Sequence, residues 1–389
     1  MKTYKNLFEK MIKPENVRKC TLDAAQGKLN RRSVFKVFLN FDRTFEAIME
    51  CINNPCYSPC ENNRYEVIDG ANHKRREIEK PQFYPEQIIH HLLIEPFKPV
   101  VMYGLYEQVY GCLPPVMVGN RMKNFGPHAA IKQLKKLVQT GSKIYVCEAD
   151  IHHAYQSVNL DILKAKLQRV IKDDKWLNLM FKFLHGNNGL VLGHYTSPWL
   201  FNLYLKDFDH FTAALDSIKY LRFADNLFLV GTNKRKLHKA LYMIKDYLKN
   251  KLFMELNKST QVYRFEWKDK NGKIRGRAVN ALGAIIHYNR VTLRKSILLR
   301  IRRKANRIFK KKHKTWYDGA SMLSRLSWIR FTDTWCYYQK YIKPKIDIRQ
   351  LKAKIRTHSR RLMPIFMERR RKIYEGLEKS LWLSGRATF

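Results

Sequence analysis

Two acidic residues of this chain stand at positions where a carboxylate needs a partner. Asp225 lies in segment 221–230, in which apolar residues flank a short polar tip and predict a β-hairpin. The tip lacks the Asn-Gly or Asp-Gly pair of a two-residue turn, so this prediction depends on the flanking β-formers. Asp150 ends the apolar segment 143–150, which predicts a buried strand. Because an isolated buried charge is costly, each carboxylate requires a metal ion or a basic neighbour.

Magnesium suits such carboxylates, because it takes one or two of them and fills its remaining positions with water and phosphate oxygens. Two metal ions about 3.5–4 Å apart clamp the attacking and leaving oxygens of a phosphoryl transfer. The alternative is that each acid forms a structural ion pair, since Lys and Arg are abundant in this chain. Spacing alone leaves both alternatives open.

The charge balance indicates the class of partner. The 389 residues include 75 Lys and Arg against 33 Asp and Glu, a formal net charge of +42. Such self-repulsion favours a polyanionic partner, and nucleic acid fits best because Lys and Arg release counterions from phosphates. An anionic membrane surface is the alternative. No spanning helix is expected, since no run of 18 apolar residues occurs, and the N-terminus lacks the apolar core of a signal peptide.

The cysteines carry a weaker signal. Seven cysteines, an odd number, predict a reducing cytosol rather than a disulfide framework. Cys51, Cys56 and Cys60 lie close together, but their spacing differs from the paired spacing of zinc ribbons and no fourth ligand is evident. A zinc site and a loop with free thiols both stay open for this segment.

The apolar pattern and the charges divide the chain into four regions. Residues 1–60 predict a basic helical segment, and residues 61–142 predict two basic strands followed by helices. Residues 143–290 hold both acids on predicted strands, and residues 291–389 form a basic helical end. The longer helices are predicted over 128–139, 162–184, 199–215 and 235–253. This order indicates a mixed α+β core with a helical appendage.

One helix of the last region is strongly asymmetric in charge. Its buried face is predicted by apolar residues at helical spacing, namely Ile297, Ile301, Ala305 and Ile308. Its other faces carry five basic residues: Arg300, Arg302, Arg303, Lys304 and Arg307. Solvated surface helices normally mix both signs, yet no acid occurs between Thr292 and Trp316. The pattern therefore favours a helix lying along a nucleic-acid backbone.

Four segments are informative as an ordered set: ADIHHAYQSV, GLVLGHYTSPWLFNLYL, RFADNLFLV and LGAIIHYNRVTLR. In order and spacing they resemble the palm motifs of reverse transcriptases. The fingers region of that family is similar to two further segments, KRREIEKPQFYPEQIIHHLL and GNRMKNFGPHAAI. The resemblance covers roughly residues 60 to 345. It implies a right-hand polymerase fold with fingers, a palm of antiparallel sheet and helices, and a helical thumb.

The resemblance implies a metal site and a sugar contact. Asp150 and Asp225 would hold two Mg²⁺ ions, with the carbonyl of Ile151 as a further ligand. Tyr155 stands where the family places an aromatic ring against the 2′-hydroxyl of the incoming nucleotide, which favours deoxynucleotides. A core aromatic is the simpler interpretation of Tyr155.

The resemblance also implies contacts to the dNTP and the template. Arg76, helped by Lys74 or Arg75, matches the fingers contact to the triphosphate. Gly193 would let the backbone approach the template base pair. Leu192 stands where many reverse transcriptases have Gln.

The segment GLVLGHYTSP resembles the corresponding motif in the enzymes of diversity-generating retroelements, which also carry an apolar residue at the position of Leu192. That likeness implies lower fidelity, particularly opposite template adenine. Pro198 departs from the pattern of this group, which has Gln there, and the long basic tail is a second departure.

Asn226 is the largest departure, because most of the family has a second Asp at this position. Asn keeps the shape of Asp but removes one negative charge next to the two expected metal ions. Glu148 lies two residues before Asp150, hence on the same strand face, and is a candidate for partial compensation. The sequence leaves open whether Asn226 is natural or was introduced to silence the enzyme.

The expected function is that of an RNA-directed DNA polymerase that copies a dedicated element-encoded RNA into error-prone cDNA, and Asn226 is a candidate to silence its activity. The expected partners are template RNA, primer and cDNA, dNTPs and a small basic accessory protein, in the cytoplasm and encoded by a bacterium or phage. Two alternatives stay open. One is another bacterial reverse transcriptase, such as one serving antiphage defence, and the other is a polymerase-like scaffold that binds RNA without catalysis.

Overall fold

The structure is a computed structural model. It describes residues 2–29, 31–59, 63–68, 75–118, 120–140, 143–185 and 187–380.

The N-terminal region is helical, as predicted. Its helices are α1 (Leu7–Ile12), α2 (Pro14–Ala25), α3 (Arg32–Leu39) and α4 (Phe41–Asn53). Pro14 opens α2, where its fixed φ suits the first helical turn. The side chain of Asn40 caps α4 by accepting a hydrogen bond from the amide of Arg43 at 3.2 Å. The apolar faces of these helices pack into the main core of the molecule.

The next region begins with the predicted pair of basic strands and continues with helices and short strands. Its elements are β1 (Asn63–Ile68), β2 (Arg75–Lys80), α5 (Ile88–Met102), β3 (Val109–Tyr110), β4 (Val116–Val118), β5 (Arg121–Lys123) and α6 (Pro127–Val138). β1 and β2 pair antiparallel, with Ile68 opposite Arg75. The turn predicted between these strands lies outside the described residues.

The central region holds the largest sheet. Its elements are β6 (Tyr145–Asp150), α7 (Leu160–Val170), α8 (Asp174–Lys182), α9 (Ser197–Tyr204), α10 (Lys206–Ala213), β7 (Ile218–Phe223), β8 (Asn226–Gly231), α11 (Lys234–Leu252) and β9 (Gln261–Arg264). The strand order is β3-β7-β8-β6-β9. β8 pairs antiparallel with both β6 and β7, whereas β3 joins β7 in parallel.

This sheet is covered on both faces. Along β8, Leu227 and Leu229 belong to the main core beside the helices, while Phe228 and Val230 belong to a second core on the opposite face. The alternation follows from the two-residue period of a strand. Such burial makes the strands rigid up to their ends, which is where the acidic residues lie.

Two predicted helices are each divided in the structure. The prediction of a single helix over 162–184 is wrong, because Ile171 leaves the helix and bridges to Tyr4 beside α1. Asp173 then caps α8 through the amide of Trp176 at 3.1 Å. The helix predicted over 199–215 is likewise divided at Leu205, between α9 and α10. In the first case a tertiary strand contact outweighs helical periodicity.

The helices of the C-terminal region have their own core, whereas most buried residues of its short strands belong to the second core beside the central sheet. The elements of this region are β10 (Trp267–Lys268), β11 (Ile274–Arg275), β12 (Val279–Ala281), β13 (Ala284–Ile286), β14 (Val291–Leu293), α12 (Lys295–Phe309), α13 (Trp316–Phe331), α14 (Trp335–Tyr341) and α15 (Ile348–Glu378). Ile301, Ala305 and Ile308 of α12 are buried against Met322 and Ile342, as the predicted apolar face requires. The helix predicted for the basic tail is α15.

Helix α15 links this third core to the main core. Leu351 is buried with α12 and α13, whereas Ile373 and Leu377 are buried with the N-terminal helices. A Cβ at Gly376 would lie 2.5 Å from the carbonyl oxygen of Phe38, so only glycine allows α3 and α15 to approach this closely. The C-terminal region is therefore attached to the rest of the molecule at two places.

The arrangement confirms the predicted mixed α+β class. The boundaries of the four regions stay predictions. No helix among the described residues is both long and apolar enough to cross a membrane.

Candidate active site

The structure brings the two predicted carboxylates to one edge of the central sheet. Asp150 is the last residue of β6 and faces Asn226, the first residue of β8, across an antiparallel ladder. Side chains at facing positions of such a ladder have Cβ atoms about 4.5–5.5 Å apart. Asp225 precedes Asn226 in the turn between β7 and β8, and its carbonyl accepts a hydrogen bond from the amide of Ile151 at 3.1 Å.

The turn that carries Asp225 is held in a costly backbone conformation. Ala224 has φ +51°, a left-handed geometry that costs a non-glycine residue about 1–2 kcal/mol. Its amide donates to the carbonyl of Tyr110 at 3.0 Å, and its own carbonyl accepts from Nη1 of Arg222 at 3.0 Å. These two bonds replace the Asn-Gly or Asp-Gly chemistry that the sequence lacks.

Arg222 is the anchor below the turn and is fully buried. Its guanidinium donates to both carboxylate oxygens of Asp209 at 2.7 Å and to Oδ1 of Asn202 at 3.1 Å. Tyr220 donates to the same carboxylate at 2.8 Å. Burial alone lowers the pKa of Arg222, but the Asp209 carboxylate outweighs it, so the pKa lies above its ordinary value. Sequence reasoning missed this network, for which the only signal is an arginine inside an apolar strand.

The donor set at the sheet edge suits a hard cation. Asp150 and Asp225 offer carboxylate oxygens, and within the described residues no backbone amide donates to the carbonyl of Ile151. Oxygen donors of this kind are those that magnesium prefers. Asn257 contacts Asp150 through its amide nitrogen Nδ2, 3.4 Å from Oδ2. Among the described residues, no Lys or Arg forms an ion pair with Asp225, which disfavours a structural ion pair for that acid.

Asn226 contacts Asp225 directly. Its Nδ2 donates to Oδ1 of Asp225 at 3.0 Å, a contact that a second carboxylate does not make. The amide thereby orients Asp225 and removes the like-charge repulsion that two adjacent carboxylates would have. Compared with Asp, Asn226 also removes one negative charge from the surroundings of any metal ion bound there.

Glu148 is engaged elsewhere. Its Oε1 accepts from the hydroxyl of Tyr263 and from the amide of Asn280 at 2.8 Å. Tyr263 belongs to β9, which pairs with β6, whereas Asn280 belongs to β12 of a separate sheet, so this carboxylate fastens β12 to the central sheet. Glu148 therefore makes a structural contact. The sequence had suggested it as a substitute for the negative charge that Asn226 lacks.

Tyr155 lies five residues beyond Asp150, next to the turn. Its ring stacks on Phe201 with centroids 5.0 Å apart and planes 19° apart. Burial, followed by the neighbouring Cys112 and Asp225, raises the pKa of its hydroxyl. The ring is thus partly buried and fixed by its stacking on Phe201. This stacking fits the interpretation of Tyr155 as a core aromatic, and its contact with the nucleotide sugar stays a prediction.

The loop that contains Leu192 and Gly193 is fixed between the central region and β2. The amide of Glu79 donates to the carbonyl of Leu192 at 2.9 Å. Gly193 has φ +107°, and a Cβ there would collide with the carbonyl oxygen of Glu79. Gly189 has φ +91° and lies equally close to the backbone of Gln156. The neighbour that requires glycine at position 193 in this structure is therefore strand β2.

A cavity of about 280 Å³ opens between this loop and β2. Arg64, Glu77, Gln156 and Leu192 are among its lining residues. Arg76 is exposed on β2, opposite Val67, whereas Lys74 lies outside the described residues. The half-buried Leu192 side chain presents an apolar surface where Gln would present an amide.

The basic residues of α12 fall into two groups. Arg303 and Arg307 are exposed and Arg300 is half-buried, and within the described residues none of the three forms an ion pair. Lys304 differs, because its ammonium is 3.1 Å from the carboxylate of Asp318, which is buried. Lys311 completes that pair at 2.8 Å. Three of the four predicted nucleic-acid contacts are thus available on the surface, and Lys304 connects α12 to α13.

The cysteine segment gives no metal site among the described residues. Cys51 is a half-buried free thiol on α4, Cys56 is an exposed one, and Cys60 lies outside the described residues. In the described part of the chain, no group of three or more His, Cys, Asp or Glu residues has the geometry to hold a metal ion.

Comparisons with known proteins identify a domain. Residues 105–286 match the family model described as reverse transcriptase (RNA-dependent DNA polymerase). This range contains β6, β7, β8 and both carboxylates of the site. Together with the mixed α+β arrangement, the match confirms the right-hand polymerase fold. No curated protein matches the chain.

Two solved structures of telomerase are similar to this chain. One is apo telomerase from Candida tropicalis truncated from its C-terminal domain, with 11% identity, a TM-score of 0.40, and coverage of 60% of this chain and 55% of that one. The other is telomerase from Candida albicans in complex with the TWJ fragment of telomeric RNA, with 10% identity, a TM-score of 0.42, and coverage of 84% and 60%. The chain spans less than two thirds of the length of either structure.

Proposed function

We propose that this chain, which carries a reverse-transcriptase domain over residues 105–286, is an RNA-directed DNA polymerase that makes cDNA from dNTPs. One observation carries the proposal. The pairing of β6 with β8 sets Asp150 beside the turn of Asp225 and Asn226, inside the matched domain. Carboxylates brought together at a rigid sheet edge are what a metal-assisted phosphoryl-transfer centre needs.

The residues at this edge fit magnesium. Asp150, Asp225 and the carbonyl of Ile151 would hold the two ions, which when bound stabilise charge on the transferred phosphate and activate the primer hydroxyl. The protein itself contributes position. The ladder fixes Asp150, Arg222 fixes the turn below Asp225, and Asn226 orients the carboxylate of Asp225.

The side chains around this edge suit the selection of a deoxynucleotide. The ring of Tyr155 is fixed by stacking on Phe201. The 2′-hydroxyl of a sugar packed against the edge of this ring would therefore clash with it. Arg76 lies exposed on β2, the strand whose Glu79 bonds to Leu192. A triphosphate bound near β2 would thus have a guanidinium at one end and the two carboxylates at the other.

The template that we propose is a dedicated RNA encoded by the same genetic element, copied with low fidelity. The apolar Leu192 supports this, because a Gln at that position would add hydrogen bonds that check base-pair geometry. A small basic accessory protein is part of the proposal. Another bacterial reverse transcriptase, such as one serving antiphage defence, is the alternative within the enzyme class.

A second function is favoured by Asn226. Loss of one negative charge beside the metal ions weakens their binding, and a polymerase so impaired could persist as a scaffold that binds RNA. The surplus of basic residues supports this function as well as the first. Polymerase activity separates the two.

Primer extension on an RNA template with a DNA primer, dNTPs and magnesium tests the proposal. We expect Asn226→Asp to exceed the unsubstituted chain by about tenfold or more, because it restores a negative charge beside the metal ions. Asp150→Ala in the Asn226→Asp background should abolish extension, whereas Asp161→Ala, which removes an exposed acid on α7, should leave it unchanged. No extension by Asn226→Asp on its own RNA, with the accessory protein present, would favour the scaffold.

A second assay isolates the sugar contact. Tyr155→Ala should lower the preference for dNTPs over ribonucleotides by about tenfold, because the ring edge that excludes the 2′-hydroxyl is lost. Tyr155→Phe keeps the ring and should keep the preference. Equal preference for dNTPs over ribonucleotides in the starting protein and in both variants would leave Tyr155 as a core aromatic only.

A further inference from the structure

A large basic cavity lies outside the matched domain, between the N-terminal helices and the end of β2. Its volume is about 920 Å³, near the upper end of the range for ligand pockets. Five cations line it: Lys28, Arg31, Lys36, Arg43 and Lys80. None of the described residues that line this basic cavity is acidic.

The charges of the basic cavity are not neutralised within the protein. Arg31, Lys36, Arg43 and Lys80 are exposed, and in the described part of the chain none of them forms an ion pair. Lys28 is only half exposed. Burial, followed by the repulsion of Arg31 and Lys80, lowers its pKa. Five like charges around one space leave a strongly positive potential, which an anion would relieve.

Aromatic and polar side chains complete the lining. The rings of Phe83 and Tyr84 are half exposed, and the ammonium of Lys28 lies 6.0 Å from the centroid of the Phe83 ring. Asn40, Gln82 and Gln87 add neutral hydrogen-bonding groups. A basic surface interleaved with aromatic rings suits phosphates joined to bases, because every base has a face that stacks on a ring.

The basic cavity is connected to the candidate active site through one strand. Lys80 is the last residue of β2, and the preceding Glu79 bonds to Leu192 in the loop beside the site. The basic cavity and the cavity beside the loop of Leu192 therefore adjoin the same short strand, an arrangement that suits a single extended polymer. A small anion would use the cavity alone.

We propose that the basic cavity binds a single-stranded segment of RNA that continues from the template at the active site. This inference deepens the proposed function and rests on it. The phosphates of the strand would lie against Arg31, Lys36 and Arg43, and a base would stack on Phe83. Because most of these residues precede position 105, the contact would be made by the N-terminal helices and not by the matched domain.

Equilibrium binding of fluorescent substrates to the full chain tests the proposal. The substrates are an RNA–DNA duplex with a single-stranded RNA overhang and the same duplex with blunt ends. The double variant Lys36→Glu/Arg43→Glu should lose at least tenfold affinity for the overhang substrate and bind the blunt duplex within about twofold of the unsubstituted chain. It should also lower the slope of log affinity against log salt by about 1.4, since single strands contribute about 0.7 for each phosphate contact.

A matched control separates this site from general charge. Lys239→Glu/Lys249→Glu makes the same charge change on exposed residues of α11 and should affect both substrates equally and weakly. Equal losses in the two double variants, or a loss that does not depend on the overhang, would overturn the proposal. Both pairs are exposed, so unchanged thermal unfolding is expected and serves as the check on folding.

The stacking contact and the source of the phosphate have their own measurements. Phe83→Leu keeps an apolar side chain but removes the ring, and should weaken binding of the overhang by about fivefold. Inorganic phosphate or a dNTP at millimolar concentration should not displace the overhang. Displacement by either would indicate a small-anion site and contradict the RNA assignment.

Failure here is distinguishable from failure of the proposed function. If Asn226→Asp extends primers but binding does not depend on the overhang, only the RNA-binding role of the basic cavity is refuted. If binding depends on the overhang but no primer is extended, only the polymerase function is refuted.

Discussion

The turn at the candidate active site and the basic cavity use charge in opposite ways. Below the turn, Arg222 is 0% exposed and donates its hydrogen bonds to protein oxygens of Asp209, Asn202 and Ala224. Around the cavity, Arg31, Lys36, Arg43 and Lys80 are exposed and, within the described residues, without ion pairs. One region pairs its charges in the interior, and the other presents them to solvent.

This difference shows how the net charge of +42 is to be interpreted. A buried ion is tolerated only when its partners are built into the fold, so Arg222 serves position and no ligand. Unpaired surface cations destabilise a compact chain through repulsion unless a polyanion binds them. Excess Lys and Arg are therefore informative about partners only where the structure leaves them unpaired.

The largest expected effect comes from breaking the buried network. Arg222→Met should lower the free energy of unfolding by about 3–5 kcal/mol, because it leaves the Asp209 carboxylate buried without its cation. Urea denaturation measures this loss. Lys236→Met removes the cation of an exposed pair with Asp216 and should leave the denaturation midpoint almost unchanged. Similar losses in both variants would show that burial does not distinguish the two pairs.

The fixed loop gives the next largest effect. Gly193→Ala should destabilise the chain by about 2–3 kcal/mol and depress extension by Asn226→Asp, because the added Cβ collides with Glu79. Gly27→Ala changes another glycine with positive φ, +73°, where nothing lies within 4 Å of the new Cβ. There a cost of about 1 kcal/mol is expected from backbone strain alone. A Gly193 variant as stable as the Gly27 variant would contradict the close contact with β2.

Neighbouring cations on α12 should separate surface binding from internal pairing. Arg303→Ala should lower the salt slope of duplex binding by about 0.9 and leave thermal unfolding unchanged. Lys304→Ala should instead lower the unfolding temperature, because Asp318 loses one of its two ammonium partners. The carboxylate of Asp318 keeps a pKa well below its usual range, although burial opposes this, through Lys311, Thr315 and Lys304. A reversed pattern, with Lys304 controlling the salt slope, would place the binding face of α12 elsewhere.

The smallest expected effect concerns fidelity. Leu192→Gln in the Asn226→Asp background should lower misincorporation opposite template adenine by a few-fold, about the value of one hydrogen bond. Leu192→Met keeps an apolar side chain and should keep the error spectrum. Sequencing of the cDNA measures both, and an unchanged spectrum in the Gln variant would remove Leu192 from the control of fidelity.

The sequence predicted most of the elements because their periodicity is local. The strand 143–150, the hairpin 221–230, the helix 128–139 and the buried face of α12 all follow from spacing two, three or four residues apart. The break at Ile171 was missed, because the partner that ends the helix, Tyr4, lies far away along the chain. Arg222 was missed as an anchor for the same reason, since Asp209 and Asn202 come from other elements.

By itself, the sequence determined which residues carry charge and which segments alternate, and hence two carboxylates on strand ends within a basic α+β chain. Only the tertiary structure decided what each charged group faces. In the structure Asp150 lies opposite Asn226, and Glu148 accepts a hydrogen bond from Tyr263. Lys304 forms an ion pair with Asp318, whereas the exposed cations of the basic cavity form no ion pair within the described residues. The physical reason is that charges act through distances in space, whereas the local pattern of a sequence records only which face of an element each residue occupies.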